Sequence, residues 1–159
     1  MPSQVLSRQS LGAQAFVSLI RAHASATRRL NAQLSAEHGL TLSDFEVLLR
    51  LARAPDRRMR RVDLAEEVLL TASGITRLLD GLERQGLVER ASCSTDRRVV
   101  YAVITDDGLA KLRKAASSHF AQVEELFGDR YDESELTELD SLLARLGGES
   151  AGECELPDA

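Results

Sequence analysis

A chain of 159 residues, 43% hydrophobic and 28% charged, has the length and mixture of one soluble globular domain with a sizeable core. Its net charge of −5 argues at first against a nucleic-acid partner, yet that charge is uneven: residues 1–49 carry +1, residues 50–114 carry +4 and residues 115–159 carry −10. The longest apolar run is the six residues Val99 to Ile104, no signal peptide is visible, and Cys93 and Cys154 make no disulfide framework, so no membrane span is expected and a reducing cytoplasm is the expected compartment.

Leu11, Ala15, Leu19, Ala22, Ala26, Leu30 and Leu34 recur in steps of three and four, predicting one long amphipathic helix from Ser10 to about His38, ended by Gly39. Thr41 with Asp44 resembles a capping box opening a second helix through Phe45, Leu48, Leu49 and Ala52, which Ala54-Pro55 stops. Arg57 to Arg61 reads as a basic loop. A short helix from Val62 to Leu69 follows, then a turn at Leu70-Thr71, then another short helix from Ala72 to Gln85 with Ile75, Leu78, Leu79 and Leu82 inward and Gly86 closing it. Leu87–Arg90 and Val99–Ile104 are the only strand-like segments, joined by the polar stretch Ala91 to Arg98. Thr105 caps a helix carrying Leu109, Leu112, Ala116, Val123 and Phe127, and Asp132 with Glu135 caps a last one carrying Leu136, Leu139, Leu142, Leu143 and Leu146. Residues 148–159 read as a disordered acidic tail.

Two short helices around a tight turn, followed by a two-stranded hairpin, form the pattern of a winged helix-turn-helix. The fold class expected is therefore mainly α with a small β-hairpin wing. Opposite its apolar residues the second short helix presents Ser73, Thr76, Arg77, Asp80 and Arg84. Ser73 and Thr76 suit phosphates or base edges, and Arg77 has the fork that matches a guanine. Taken alone, that face reads more readily as the solvated side of an amphipathic helix. The hairpin adds Asp96, Arg97 and Arg98, where two arginines on a protruding ribbon suit a narrow minor groove and the aspartate suits holding one of them by a bidentate pair. Arg57, Arg58, Arg60 and Arg61 stand just before the first short helix, and Arg60, Arg61 and the turn residue Thr71 are expected to touch the DNA backbone. Three basic elements in this order favour duplex DNA over plain solvation.

Leu64-Ala65-Glu66, the run Ser73 to Arg90, Asp96-Arg97-Arg98 and Ile104 to Gly108 together resemble the MarR family of bacterial transcription regulators, over about residues 10–147 and most specifically over 62–108. The resemblance implies a homodimer held by helices in residues 1–40 and 106–147, with residues 41–105 as a winged DNA-binding lobe. It also implies a pseudo-palindromic operator, a repressor more often than an activator, and relief by a small aromatic effector bound between the dimer helices and the lobe. Asp96 and Arg98 match the family's Asp-x-Arg pair at the wing tip. No residue of an effector pocket is identified, and no cofactor or metal is expected.

Enzyme motifs are absent from the sequence: there is no glycine-rich phosphate loop, no Gly-x-Ser-x-Gly and no His-Glu-x-x-His. Metal sensing would have to use His23, His38 or His119, which follow no ligand spacing. Redox sensing would have to use Cys93 in the hairpin or Cys154 in the tail. A winged helix that binds proteins instead of DNA remains the competing binding module.

Overall fold

The computed structural model describes residues 10–68 and 70–147, so the acidic tail expected over 148–159 lies outside the described residues. Helix α1 (Leu11–His38) starts where the Ser10 hydroxyl accepts from Ala13 N at 3.2 Å. Helix α2 (Leu42–Arg53) opens on a reciprocal capping box, with Thr41 N donating to Asp44 Oδ2 at 2.8 Å and Asp44 N to Thr41 Oγ1 at 3.1 Å. Helices α3 (Arg61–Glu67) and α4 (Ala72–Arg84) are the two short helices, and Thr71 caps α4 by accepting from Gly74 N at 3.1 Å. Gly86 takes the left-handed φ of 72° that turns the chain out of α4, a conformation a Cβ would strain. Thr105 caps α5 (Asp106–Gly128), and Asp132 with Glu135 forms the box before α6 (Glu133–Gly147).

The sheet differs from the expected two-stranded hairpin. Arg58–Arg60, expected within a basic loop, forms strand β1, which pairs antiparallel with β3 (Val100–Ile104), itself paired with β2 (Val88–Ser92), in the order β1-β3-β2. Arg58 lies opposite Val103 and Arg60 opposite Tyr101, and the Arg58 guanidinium sits 5.2 Å from the centre of the Tyr101 ring. Two of the arginines expected in the loop are thus fixed on a sheet edge at the foot of the wing.

One core joins the elements of the lobe to α5. Leu34, Leu48, Leu51, Leu64, Ile75, Leu82 and Leu112 are almost completely buried in it. Helix α1 contributes only Leu30 and Leu34 as buried residues, and α6 contributes none. The apolar stripes read from the sequence are real, but much of their length stays unburied among the described residues.

His119 is the one buried polar residue of this core among the described residues, packed against Phe45 at 4.6 Å and Phe120 at 5.6 Å between ring centres. Its Nδ1 has no hydrogen-bond partner among the described residues, and burial holds its pKa below the ordinary imidazole value of 6.5. The unfolded chain therefore takes up this proton at a higher pH than the folded one does. Stability from this site is complete above about 6.5 and is lost as pH falls through the lowered folded value. The urea midpoint should drop more steeply between pH 7 and 5 in the wild type than in His119→Leu. Equal slopes would show that His119 protonates without cost.

Candidate nucleic-acid interface

The second short helix keeps its expected inward face, with Ile75, Leu79 and Leu82 buried and Leu78 partly so. Ser73, Arg77 and Arg84 are exposed. Arg77 Nε makes a weak bond of 3.4 Å to the Ser73 carbonyl, within its own helix. No ion pair of Arg77 occurs among the described residues, so its guanidinium can meet an external acceptor without breaking one. The Thr71 hydroxyl is exposed as well, 3.3 Å from that of Ser73, so two hydroxyls cluster at the start of the helix.

Two residues expected on the free face are engaged. Thr76 is half-buried, its hydroxyl donating to the Ala72 carbonyl at 2.8 Å and accepting from Arg61 Nη1 at 3.4 Å. Asp80 bonds to Arg90 of β2, which also holds Glu83 at 3.0 Å. That ion-pair group escaped sequence reasoning, because its members stand seven and ten residues apart and come together only when β2 folds back along α4.

At the wing tip Asp96, Arg97 and Arg98 are all exposed. Asp96 does not hold an arginine by a bidentate pair. Its Oδ1 accepts from the backbone N–H of Arg98 at 2.9 Å, and its carbonyl accepts from Val99 N at 3.1 Å. A short acidic side chain in a turn reaches the amide two residues on more easily than a mobile guanidinium, so it fixes the turn. Neither Arg97 nor Arg98 has an ion pair among the described residues. Cys93, at the root of this loop, has its thiol 3.1 Å from the Thr95 hydroxyl, and that hydrogen bond, with backbone bonds from Thr95 and Asp96, lowers its pKa below the usual thiol value.

The arginines before α3 divide. Arg60 donates to both oxygens of Asp63, at 2.6 and 2.8 Å, and this bond raises the guanidinium pKa further. Arg57 faces Asp106 and Arg58 faces Asp56, each at 3.5 Å. Arg61 meets no carboxylate among the described residues. Arg60, Arg61 and Arg98 line one cleft of about 150 Å³, with Val62, Val99 and Val100. The structure therefore brings one end of the wing and the start of α3 together, with two uncompensated positive charges, Arg61 and Arg98.

No group of three or more His, Cys, Asp or Glu side chains suited to a metal ion occurs among the described residues, and no helix among them is long and apolar enough to cross a membrane.

The sequence profile of the MarR family matches residues 38–99. The HTH-type transcriptional regulator MhqR of Bacillus subtilis (strain 168) is 31% identical over 132 residues, covering 83% of this chain and 88% of that protein. Among solved structures, AbsC, a MarR family transcriptional regulator from Streptomyces coelicolor, superposes with a TM-score of 0.79 at 32% identity, over 89% of this chain and 95% of that one. Sco3205, a MarR family transcriptional regulator from the same organism solved in complex with DNA, gives 0.80 at 27% identity, over 98% of each chain. Short helix, turn, exposed helix and wing thus recur together in sequence and in space, and the chain belongs to the MarR family of transcriptional regulators.

Proposed function

We propose that the chain is a homodimeric, sequence-specific DNA-binding repressor, in which residues 41–105 form the DNA-binding lobe and residues 1–40 and 106–147 the dimerisation region. The observation that carries the DNA reading is the exposure of Arg77 on α4 and of Arg97 and Arg98 on the wing, none with a carboxylate partner among the described residues. Charges held out of ion pairs on two neighbouring projections suit a polyanion, and the relative Sco3205 was solved in complex with DNA. In this reading α4 enters the major groove, where Ser73, Thr76, Arg77 and Arg84 lie along it. The wing residues Asp96, Arg97 and Arg98 reach the adjacent minor groove or its rim. Arg60, Arg61 and Thr71 contribute toward the phosphates, Arg60 most weakly because Asp63 already occupies it. A dimer would read two half-sites of a pseudo-palindrome, roughly 10 base pairs apart.

Relief by a small aromatic ligand is part of the same proposal. Between α1 and α2 runs an open groove of about 700 Å³, lined by His23, Thr27, Arg28, Asn31, Leu42 and Glu46 among others. It has the volume of a small-molecule site and lies where the dimerisation helix meets the lobe. A ligand there would release DNA only by preferring one spacing of the two lobes.

The test starts from a duplex enriched by the wild-type protein out of a randomised pool, with a scrambled duplex of equal composition beside it. Arg98→Ala should weaken binding of the enriched duplex more than Arg145→Ala on α6 does; equal affinities would refute the wing's role. Arg77→Ala should cost about 1–3 kcal/mol at particular base pairs, and an equal loss on all sequences would make Arg77 a phosphate contact. A slope near zero in log K against log salt would overturn DNA binding itself.

A further inference from the structure

Helix α4 and strand β2 are tied by a single arginine. Arg90 Nη2 bonds to Asp80 Oδ1, and its Nε lies 3.0 Å from Glu83 Oε2. The two carboxylates are three residues apart and so share one side of the helix, where a planar guanidinium spans both while an ammonium would hold only one well. Beside this contact lies a cavity of about 140 Å³, lined by Thr76, Leu79, Glu83, Val88, Arg90 and Tyr101 among others. Ile75, Leu79 and Leu82 anchor the inner face of α4 in the core, and the ion pairs of Arg90 hold the helix on the side where the cavity lies. Arg61, which lines the same cavity, reaches Thr76 at 3.4 Å, a longer bond to an uncharged hydroxyl.

We propose that Arg90 is a positioning residue for sequence recognition: by gripping Asp80 and Glu83 it fixes how Arg77 and Ser73 stand relative to the wing. The inference rests on the DNA-binding reading above and adds a residue that need not touch DNA at all. Half-exposed ion pairs of this kind add little to stability, so their value here is geometric. A dimer reading two half-sites needs both recognition helices at one tilt, and an α4 held only along its inner face would meet base edges in more than one pose.

The decisive quantity is the ratio of affinities for the duplex enriched by the wild type and for its scrambled counterpart. Arg90→Ala should lower that ratio about tenfold, the size of one mismatched base pair, while the thermal midpoint moves by only a few degrees. Asp80→Asn/Glu83→Gln should lower it by a similar factor, and combining all three changes should add nothing further. Arg90→Lys should recover part of the loss. An unchanged ratio in either variant overturns the proposal. So does tighter binding of both duplexes by Asp80→Asn/Glu83→Gln, because the carboxylates would then merely repel phosphates. Should Arg90→Ala fail to fold, the double carboxylate variant decides the matter by itself. A wild type that enriches no duplex sinks the DNA-binding reading, whereas a wild type that enriches one while its variants keep the ratio sinks only the role of Arg90.

Discussion

Gly108→Ala should cost more than about 3 kcal/mol or prevent folding, although alanine is the better helix former by about 1 kcal/mol. A Cβ at position 108 would stand 2.1 Å from the Leu87 carbonyl oxygen and 2.8 Å from Ile104 Cγ1. The oxygen belongs to backbone that cannot retreat: it accepts from Thr105 N at 3.1 Å, while Leu87 N donates to Leu82 O at 3.0 Å. Thr105 Oγ1 in turn donates to Gly86 O at 2.7 Å and accepts from Gly108 N at 3.0 Å. Residues 86–87 and 105–108 are thus knotted where α5 leaves the winged lobe, and only a residue without a side chain lets the first turn of α5 lie against the head of β2. Gly81→Ala is the control of opposite sign. Its Cβ would meet only the flexible end of Arg84, at 4.0 Å, so that change should stabilise by up to about 1 kcal/mol. Urea unfolding of both variants measures the difference, and a Gly108→Ala protein as stable as the wild type would mean that α5 can shift away from the lobe.

The features legible in the sequence are those whose chemistry is local. Thr41 with Asp44, Thr105, and Asp132 with Glu135 all cap helices as the sequence predicts, because a cap needs only its own first turn. The inward faces of α2 and α4 follow from periodicity for the same reason. Strand β1 was not legible: only Met59 of its three residues turns partly inward, and its partner β3 lies some forty residues on, so no alternation marks it. At the site, Arg77, Arg97 and Arg98 are exposed as expected, while Asp96 caps a turn, Asp63 occupies Arg60, and Arg90 ties α4 to β2. In each case a short or distant partner takes the charge, a competition that residue type alone does not decide.

If the chain is the homodimer proposed above, dissociating it should have the largest effect on DNA binding. On α1, Leu11, Phe16 and Ile20 are 84%, 63% and 51% exposed, and on α6, Leu142, Leu143 and Leu146 are 50%, 42% and 74% exposed. At 1.5 Å per residue, α1's 28 residues extend about 42 Å, yet its two buried residues, Leu30 and Leu34, both lie in its C-terminal third. Apolar faces left open on both terminal helices are more than a soluble monomer usually carries, and in the proposed dimer a second copy of the same faces would be their self-complementary partner. Ile20→Asp with Leu143→Asp should therefore give monomers by light scattering while leaving the lobe folded, since neither side chain belongs to its core. A lone lobe grips one half-site without the raised effective concentration of the second, so affinity for the full site should fall by about 10²–10⁴-fold, whereas a duplex carrying one half-site should be bound almost as before. A wild type that is monomeric, or a charged variant that stays dimeric, would move the interface elsewhere. Equal losses on full-site and half-site duplexes would mean that the substitutions damage the lobe itself.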